Sequence, residues 1–341
     1  MESLRGPAGS VGAAQTAIHL ARLAVFTGHL DEAASQLAAV SKTTETITLA
    51  RQVIPLALLV QGQLLLTQGD FAQAEARFSD ARNSAEAEQE PLIAAEALLG
   101  LAWTRLSRGE LDAASSTFQE AGRQFQLIES MNGDGAALLG TAQVLIGQEV
   151  WEEAIERCEG ALTRFDQSND LMGQADTMLA MALAYSGKGE LDDASTNFEQ
   201  ALALYQQQEQ PLGEADTRYG RAGIFLVRGD LNAALAELTS AIALVEQVMH
   251  TLSTPQQWNT FLNQYAELYA QAAITEVRRN SDAQARALLT SFVRIAGASK
   301  IVQHLKAYEE SILTSNDEMP ADELQANTDL LKRLRQLRKN L

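Results

Sequence analysis

Tyr185-Ser186-Gly187-Lys188-Gly189-Glu190-Leu191-Asp192-Asp193-Ala194 encodes the end of one helix, a stop and the start of another. Gly189 reaches the left-handed backbone conformation that closes a helix. The acids after it suit the positive end of the next helix dipole. Outward from the stop, Ala182 lies before it, and Phe198 and Ala201 follow Ala194 at helical spacing. The same turn recurs as Gly28-His29-Leu30, Gly69-Asp70-Phe71, Gly109-Glu110-Leu111 and Gly229-Asp230-Leu231, while in the fourth copy Glu149 replaces the glycine. Two ladders of small residues run through these copies. One is Ala33, Ala74, Ala114, Ala154, Ala194 and Ala234; the other is Ala21, Gly62, Ala102, Ala142, Ala182 and Ala222. Each advances by 41 and then by 40 residues. Two registers locked over about two thirds of the chain mean one unit copied six times, the signature of a solenoid.

Within a copy the apolar period is helical twice over. Leu98, Leu99, Leu101, Ala102 and Leu106 share one face, and Leu111, Ala114, Phe118, Ala121 and Phe125 share the next. The predicted fold is all-α: a right-handed solenoid of αα-hairpins with a C-terminal helical extension. Six hairpins span 11–247. An irregular seventh hairpin and a capping helix fill 248–314, with one long helix predicted over Pro255 to Arg279 and a break at Ser315 to Pro320. A basic helix occupies 321–341, where Leu330, Leu334, Leu337 and Leu341 form a short coiled-coil-like seam suited to self-association.

The small residue, the glycine seven later, the alanine five after that, the aromatic four on and the alanine three on (Ala182, Gly189, Ala194, Phe198 and Ala201) resemble the tetratricopeptide repeat, in a long variety of about 40 residues. A second resemblance lies around Tyr265, Tyr269 and Ala285-Arg286-Ala287-Leu288-Leu289. It is similar to the stretch that follows such arrays in proteins with a CHAT (caspase-like) domain. It implies that this chain could be the regulatory or sensor region of such a peptidase, or a free-standing relative. The peptidase motif itself is absent from these 341 residues.

The formal net charge is −18. The last twelve residues carry five basic side chains and no acid, so the preceding 329 sum to −23. An acidic body repels phosphate backbones and anionic lipid, so neither nucleic acid nor membrane is an expected partner. The N-terminal ten residues have no apolar core of signal-peptide type, and a cytoplasmic location is the expectation. The single cysteine, Cys158, stands where other copies have Phe78, Phe118 and Phe198, and reads as core. Trp151 and Trp258 read as core too. His19, His29, His250 and His304 have no metal-ligand spacing, no glycine-rich phosphate loop exists, and the acids cluster at helix starts. The expectation is a non-enzyme without cofactor or metal.

The resemblance implies that first helices line an inner, concave surface. On this chain that gives Leu99, Leu139, Leu179 and Tyr219 in one row, Trp103, Gln143 and Leu183 in another, and Asp176 and Asp216 as an acidic border. None of these is basic, so an acidic C-terminal tail is a poor ligand. The expected function is a protein-interaction scaffold that holds a neutral or basic, partly apolar protein or peptide segment.

Overall fold

The computed structural model describes residues 7–46, 52–315 and 321–341. The described residues form helices joined by tight turns, without a strand. The predicted break is outside the described residues from 316 onward, as are the first six residues of the N-terminal segment. Two compact units divide the chain, Met1–Thr217 and Arg218–Leu341.

The first unit holds five hairpins: α1 (Pro7–Phe26) with α2 (Leu30–Thr46), α3 (Ile54–Thr67) with α4 (Phe71–Ala87), α5 (Pro91–Ser107) with α6 (Leu111–Leu127), α7 (Met131–Gly147) with α8 (Trp151–Ser168), and α9 (Leu171–Lys188) with α10 (Leu191–Gln207). It ends inside α11 (Pro211–Val227). Every first helix from α1 to α7 also packs on the next first helix, which gives the stacked order of a solenoid.

The alanine ladders are the spine. Ala21, Ala33, Ala74, Ala102, Ala114, Ala142, Ala154, Ala182 and Ala194 are all fully buried. Short side chains let helix axes approach closely. The rings fix the spacing between copies. A Cβ on Gly100 would meet the Phe78 ring at 2.3 Å, and one on Gly140 would meet Phe118 at 2.1 Å. Cys158 shares a core cluster with Ala180, which stands where Gly100 and Gly140 do. Where the ring is replaced by a small thiol, the glycine opposite can become alanine. A second set of sockets repeats the device at the helix ends, with Phe125 on Gly133, Phe165 on Gly173 and Tyr205 on Gly213.

The turns obey the same period. Gly28, Gly69, Gly109 and Gly189 have φ from 76° to 88°, and Glu149 holds φ 61° in the copy that lacks glycine. In each of them the next amide donates to the carbonyl five residues back, as Glu110 does to Arg105 at 3.0 Å and Val150 to Leu145 at 2.9 Å. The closing hydrogen bonds thus impose the left-handed conformation on a glutamate. Such a residue costs on the order of 1 kcal/mol there relative to glycine. Glu149→Gly should therefore raise stability by about 0.5–1 kcal/mol in urea denaturation. An unchanged or lower midpoint would show that the turn holds no strain.

In the second unit α12 (Leu231–Met249), α13 (Pro255–Leu262), α14 (Ala266–Arg278), α15 (Asp282–Ala296), α16 (Ser299–Ser315) and α17 (Ala321–Lys339) follow. Among the described helices α12 alone is long and apolar enough to cross a membrane. Its Ala234, Leu238, Ala241 and Val245 are buried, and it packs on α14, as the core helix of a folded unit does. The single helix predicted over Pro255 to Arg279 is divided by a 3₁₀ turn at Asn263–Tyr265. Polar contacts hold the division: Lys300 Nζ donates to the Asn263 carbonyl at 3.0 Å, and the Asn259 amide donates to the Ile295 carbonyl at 3.2 Å. Lys300 thus satisfies a carbonyl that a continuous helix would have paired internally, while the Asn259 side chain caps the end of α15.

The C-terminal helix also differs from expectation. Its buried leucines are Leu331, Leu334 and Leu337, and they pack within the unit, where α17 contacts α14, α15 and α16. Arg333 binds Asp282, Asn280 and the Val277 carbonyl. Arg338 forms a two-pronged pair with Glu309, at 2.8 and 3.1 Å. The basic charges complement acids of this chain. Trp151 and Trp258 are half-buried rather than enclosed. Trp151 lies against Gly187, and the Trp258 indole donates to the Leu252 carbonyl at 2.7 Å.

Candidate functional site

First helices stack in register, so residues 40 apart in sequence fall side by side on one face. In the first unit this face lines a cavity of about 850 Å³. Trp103 from α5, Leu139 and Gln143 from α7, Leu179 and Asp176 from α9 and Asp216 from α11 all border it, together with Gln63 and Leu66 from α3. Six of the nine residues singled out from sequence therefore share one space. Leu99 borders an adjoining cavity of about 380 Å³, which also has Trp103, Leu139 and Asp176 on its wall. Leu183 is 38% exposed and borders neither cavity. Tyr219 belongs to the second unit, where its phenol is bonded to Glu267.

The rows have different local roles. Leu139 is buried, and Leu99 and Leu179 are half-buried, so these leucines serve both the packing of first helices and the cavity wall. Trp103 is half-buried and stands edge-on to Phe118, with ring centroids 4.9 Å apart and an interplanar angle of 78°. The same ring fills the Gly140 socket, so the core orients the tryptophan from behind.

Two carboxylates set the electrostatics. Asp176 and Asp216 occupy equivalent positions on α9 and α11. Surrounding protein displaces bulk water and pushes Asp176 up to about 6, against the hydrogen bond it accepts from Tyr205. The Tyr205 hydroxyl donates to Asp176 Oδ1 at 2.6 Å. Desolvation by the neighbouring protein and then the charge of Asp176 push Asp216 up to about 7, although the residue itself is exposed. Its side chain is nonetheless wet, because it opens on the cavity. No hydrogen-bond or ion-pair partner of Asp216 is found among the described residues. The Tyr205 phenol is raised well above its ordinary value by burial and by the Asp176 charge.

Sequence reasoning missed two contributors. Tyr205 is the third member of the ring series Phe125, Phe165, Tyr205, and the only one with a hydroxyl. The 40-residue step would have placed it. Helix α1 is the other. Its His19, Arg22, Leu23 and Phe26 border the large cavity, with Leu23 57% and Phe26 41% exposed. Arg22 pairs with Glu96 of α5 at 3.3 Å. No spacing rule links residue 22 to residue 96; that pairing requires the coil of the hairpin stack.

Cys158 is fully buried, and desolvation pushes its thiol up to about 12, far from the reactive thiolate. Among the described residues no group of His, Cys, Asp or Glu is arranged to hold a metal ion.

Comparison with known proteins agrees with the hairpins. Two tetratricopeptide-repeat family models match, one over residues 135–207 and the other over 59–127 and 179–247. No curated protein matches the sequence. Among solved structures, a Rap protein complexed with competence and sporulation factor superposes over 97% of this chain and 98% of its own, with 13% identity and a TM-score of 0.56. The apo form of RapI covers 83% of this chain and 96% of its own, with 14% identity and a TM-score of 0.54. The apo quorum sensor NprR from B. thuringiensis covers 92% and 84%, with 12% identity and a TM-score of 0.53. At these identities the likeness is one of fold. The matched repeats, the glycine turns and the stacked hairpins together make this chain a tetratricopeptide repeat protein.

Proposed function

We propose that the chain is a non-catalytic interaction scaffold, and that the first-helix face of Met1–Thr217 is a concave surface that holds a partly apolar, neutral or basic protein segment. The observation that carries this reading is the cavity of about 850 Å³, with Trp103, Leu139, Leu179, Leu23 and Phe26 beside Asp176 and Asp216. Pockets of this volume, apolar with a few convergent polar groups, are the usual form of binding sites. The tetratricopeptide fold is typical of interaction scaffolds, and the Rap structure with its bound factor supports the same direction.

A displayed random-peptide library tests this. Sequences with apolar residues beside Lys or Arg should be enriched on the intact chain. Trp103→Ala should weaken the enriched peptides by about 30-fold, the effect of removing an anchor worth about 2 kcal/mol. Gln143→Arg, on the same wall, should weaken them without touching the core. Unchanged affinity in both variants, with native helical content, would remove the cavity from the argument.

A second reading, a signal-responsive regulator, is favoured by the fold shared with the quorum sensor NprR. It predicts that bound peptide changes the spacing of the hairpins, measurable by small-angle scattering. The CHAT-associated variant of that reading rests on the stretch from Tyr265 to Leu289 alone. Sequencing the gene past the codon for Leu341 tests it directly.

A further inference from the structure

We propose that the exposed stripe of α1 is a self-association face, and that a second copy of this chain docks its own α1 there, antiparallel, to form a two-fold dimer. The stripe is Gly12, Thr16, His19 and Leu23, with Leu20 beside it.

The repeat defines what this stripe does in the other hairpins. In α7 the counterparts of Thr16, His19 and Leu23 are Ala137, Gly140 and Val144, and all three are buried. The preceding hairpin covers them: Val144 shares a core cluster with Ala114 and Phe118, and the Phe118 ring fills the place that a Cβ on Gly140 would take. The counterpart of Gly12 is Gly133, which receives the Phe125 ring. The positions of Thr16, His19 and Leu23 are buried in α3, α5 and α9 as well. In α1 the stripe is open. All four of its residues are exposed, Leu23 at 57% and the neighbouring Leu20 at 45%, and a Cβ on Gly12 would meet nothing within 4 Å. The Thr16 hydroxyl donates to the Gly12 carbonyl at 2.9 Å, so it stays satisfied when the stripe is covered.

The occupant follows from charge and spacing. The chain carries −18 overall, so two copies repel except where a face lacks acids. No Asp or Glu occurs in α1, and its one arginine, Arg22, is engaged with Glu96. The stripe is spaced by 4, 3 and 4 residues, which reads the same in both directions. A copy laid antiparallel about a two-fold axis midway between Thr16 and His19 therefore sets Leu23 over Gly12 and His19 beside Thr16. Large residues meet small ones, as the rings meet glycines between hairpins. Head-to-tail stacking of copies is closed, because the last regular second helix has no open face to offer: Leu238, Ala241 and Val245 of α12 are buried, and α12 packs on α14. The end face of the α1–α2 hairpin, about 30 Å long and about 20 Å wide, covers about 600 Å² per copy and about 1,200 Å² in total, the lower end of stable interfaces.

Sedimentation equilibrium on the full chain tests the proposal. Monomer and dimer should exchange, half-dissociated at roughly 1–10 µM, as suits an interface of this size. Association should tighten with added sodium chloride, because salt screens the repulsion between acidic bodies while the apolar contact persists. Leu20→Glu should weaken the dimer about a hundredfold, since the change enters an isologous interface twice and sets like charges together. Leu20 is exposed in the single copy, so this variant should keep native helical content.

Gly12→Leu separates docking from folding. Leucine is the better helix former and the position is open, so the melting temperature of the dilute monomer should hold or rise. The dimer should nonetheless weaken by about tenfold or more, because the new side chain fills the seat of Leu23. Trp103→Ala, on the cavity wall, should leave the dimer intact, so peptide binding and dimerisation are read separately. A chain that stays monomeric to about 200 µM, a dimer that weakens with salt, or a dimer unchanged in either α1 variant overturns the proposal.

Discussion

Gly140→Ala should destabilise the protein by about 2–3 kcal/mol, read as a lower urea midpoint. The sign is the informative part. Alanine is the better helix former, and the exchange at an exposed helix interior gains about 1 kcal/mol. At Gly140 the added carbon would lie 2.1–2.4 Å from three atoms of the Phe118 ring. That ring is fully buried and also carries Trp103, so it has no free volume to enter. Overpacking of this kind costs about 1–3 kcal/mol, occasionally more, and here it outweighs the propensity gain. Gly160→Ala is the control, since a Cβ there meets its nearest neighbour at an ordinary 3.5 Å; it should raise stability by roughly 0.5–1 kcal/mol. Phe118→Leu in the Gly140→Ala background should recover part of the loss, because the two residues share one space. A stabilised Gly140→Ala protein would mean that the ring does not set the spacing between hairpins.

The second large effect lies at the other end of the chain. Glu309 is buried, its side chain 7% exposed, and Arg338 and Arg335 reach it at 2.8 and 3.6 Å. Replacing both arginines by alanine leaves an enclosed carboxylate without its partners, a loss of about 3–5 kcal/mol. The effect should be confined to the last helices. Hydrogen exchange should show α17 and the end of α16 opening, while the amides of α5 to α8 keep their protection. Glu309→Leu makes the argument sharper. It removes the charge and its desolvation together and adds apolar contact with Leu334 and Leu337, so its cost should be small. Equal losses in the leucine variant and the double arginine variant would show that packing volume, and not the uncompensated charge, governs this corner.

These two sites mark the boundary between what a period reveals and what it hides. The interval of 40 residues, carried by Ala74, Ala114, Ala154 and Ala194 and by the glycine turns, is itself the structure: each copy sees only its neighbours, so repetition in sequence becomes repetition in space. The same interval places Trp103, Gln143, Asp176 and Asp216 on one face. The turn survives even where the sequence departs from the pattern at Glu149, because its closing hydrogen bonds do not depend on which side chain stands there.

Where the period ends, at α13 to α17, the periodicity of apolar residues located helices but not their partners. A run such as Leu330 to Leu341 reads alike whether it meets a second chain or its own, and Asn259, Asn263 and Lys300 divide a helix through neighbours far along the chain. Asp176 and Asp216 were legible as an acidic border. Their partnership with Tyr205, and the approach of α1 with Arg22 and Phe26 to the same cavity, were not. Sequence determined the repeating unit, its turns and the residues of its inner face, because those follow from local hydrogen bonding and nearest-neighbour packing. The tertiary structure alone decided which charged side chains border one cavity, because that depends on how the five hairpins stack, and no single copy records the stacking.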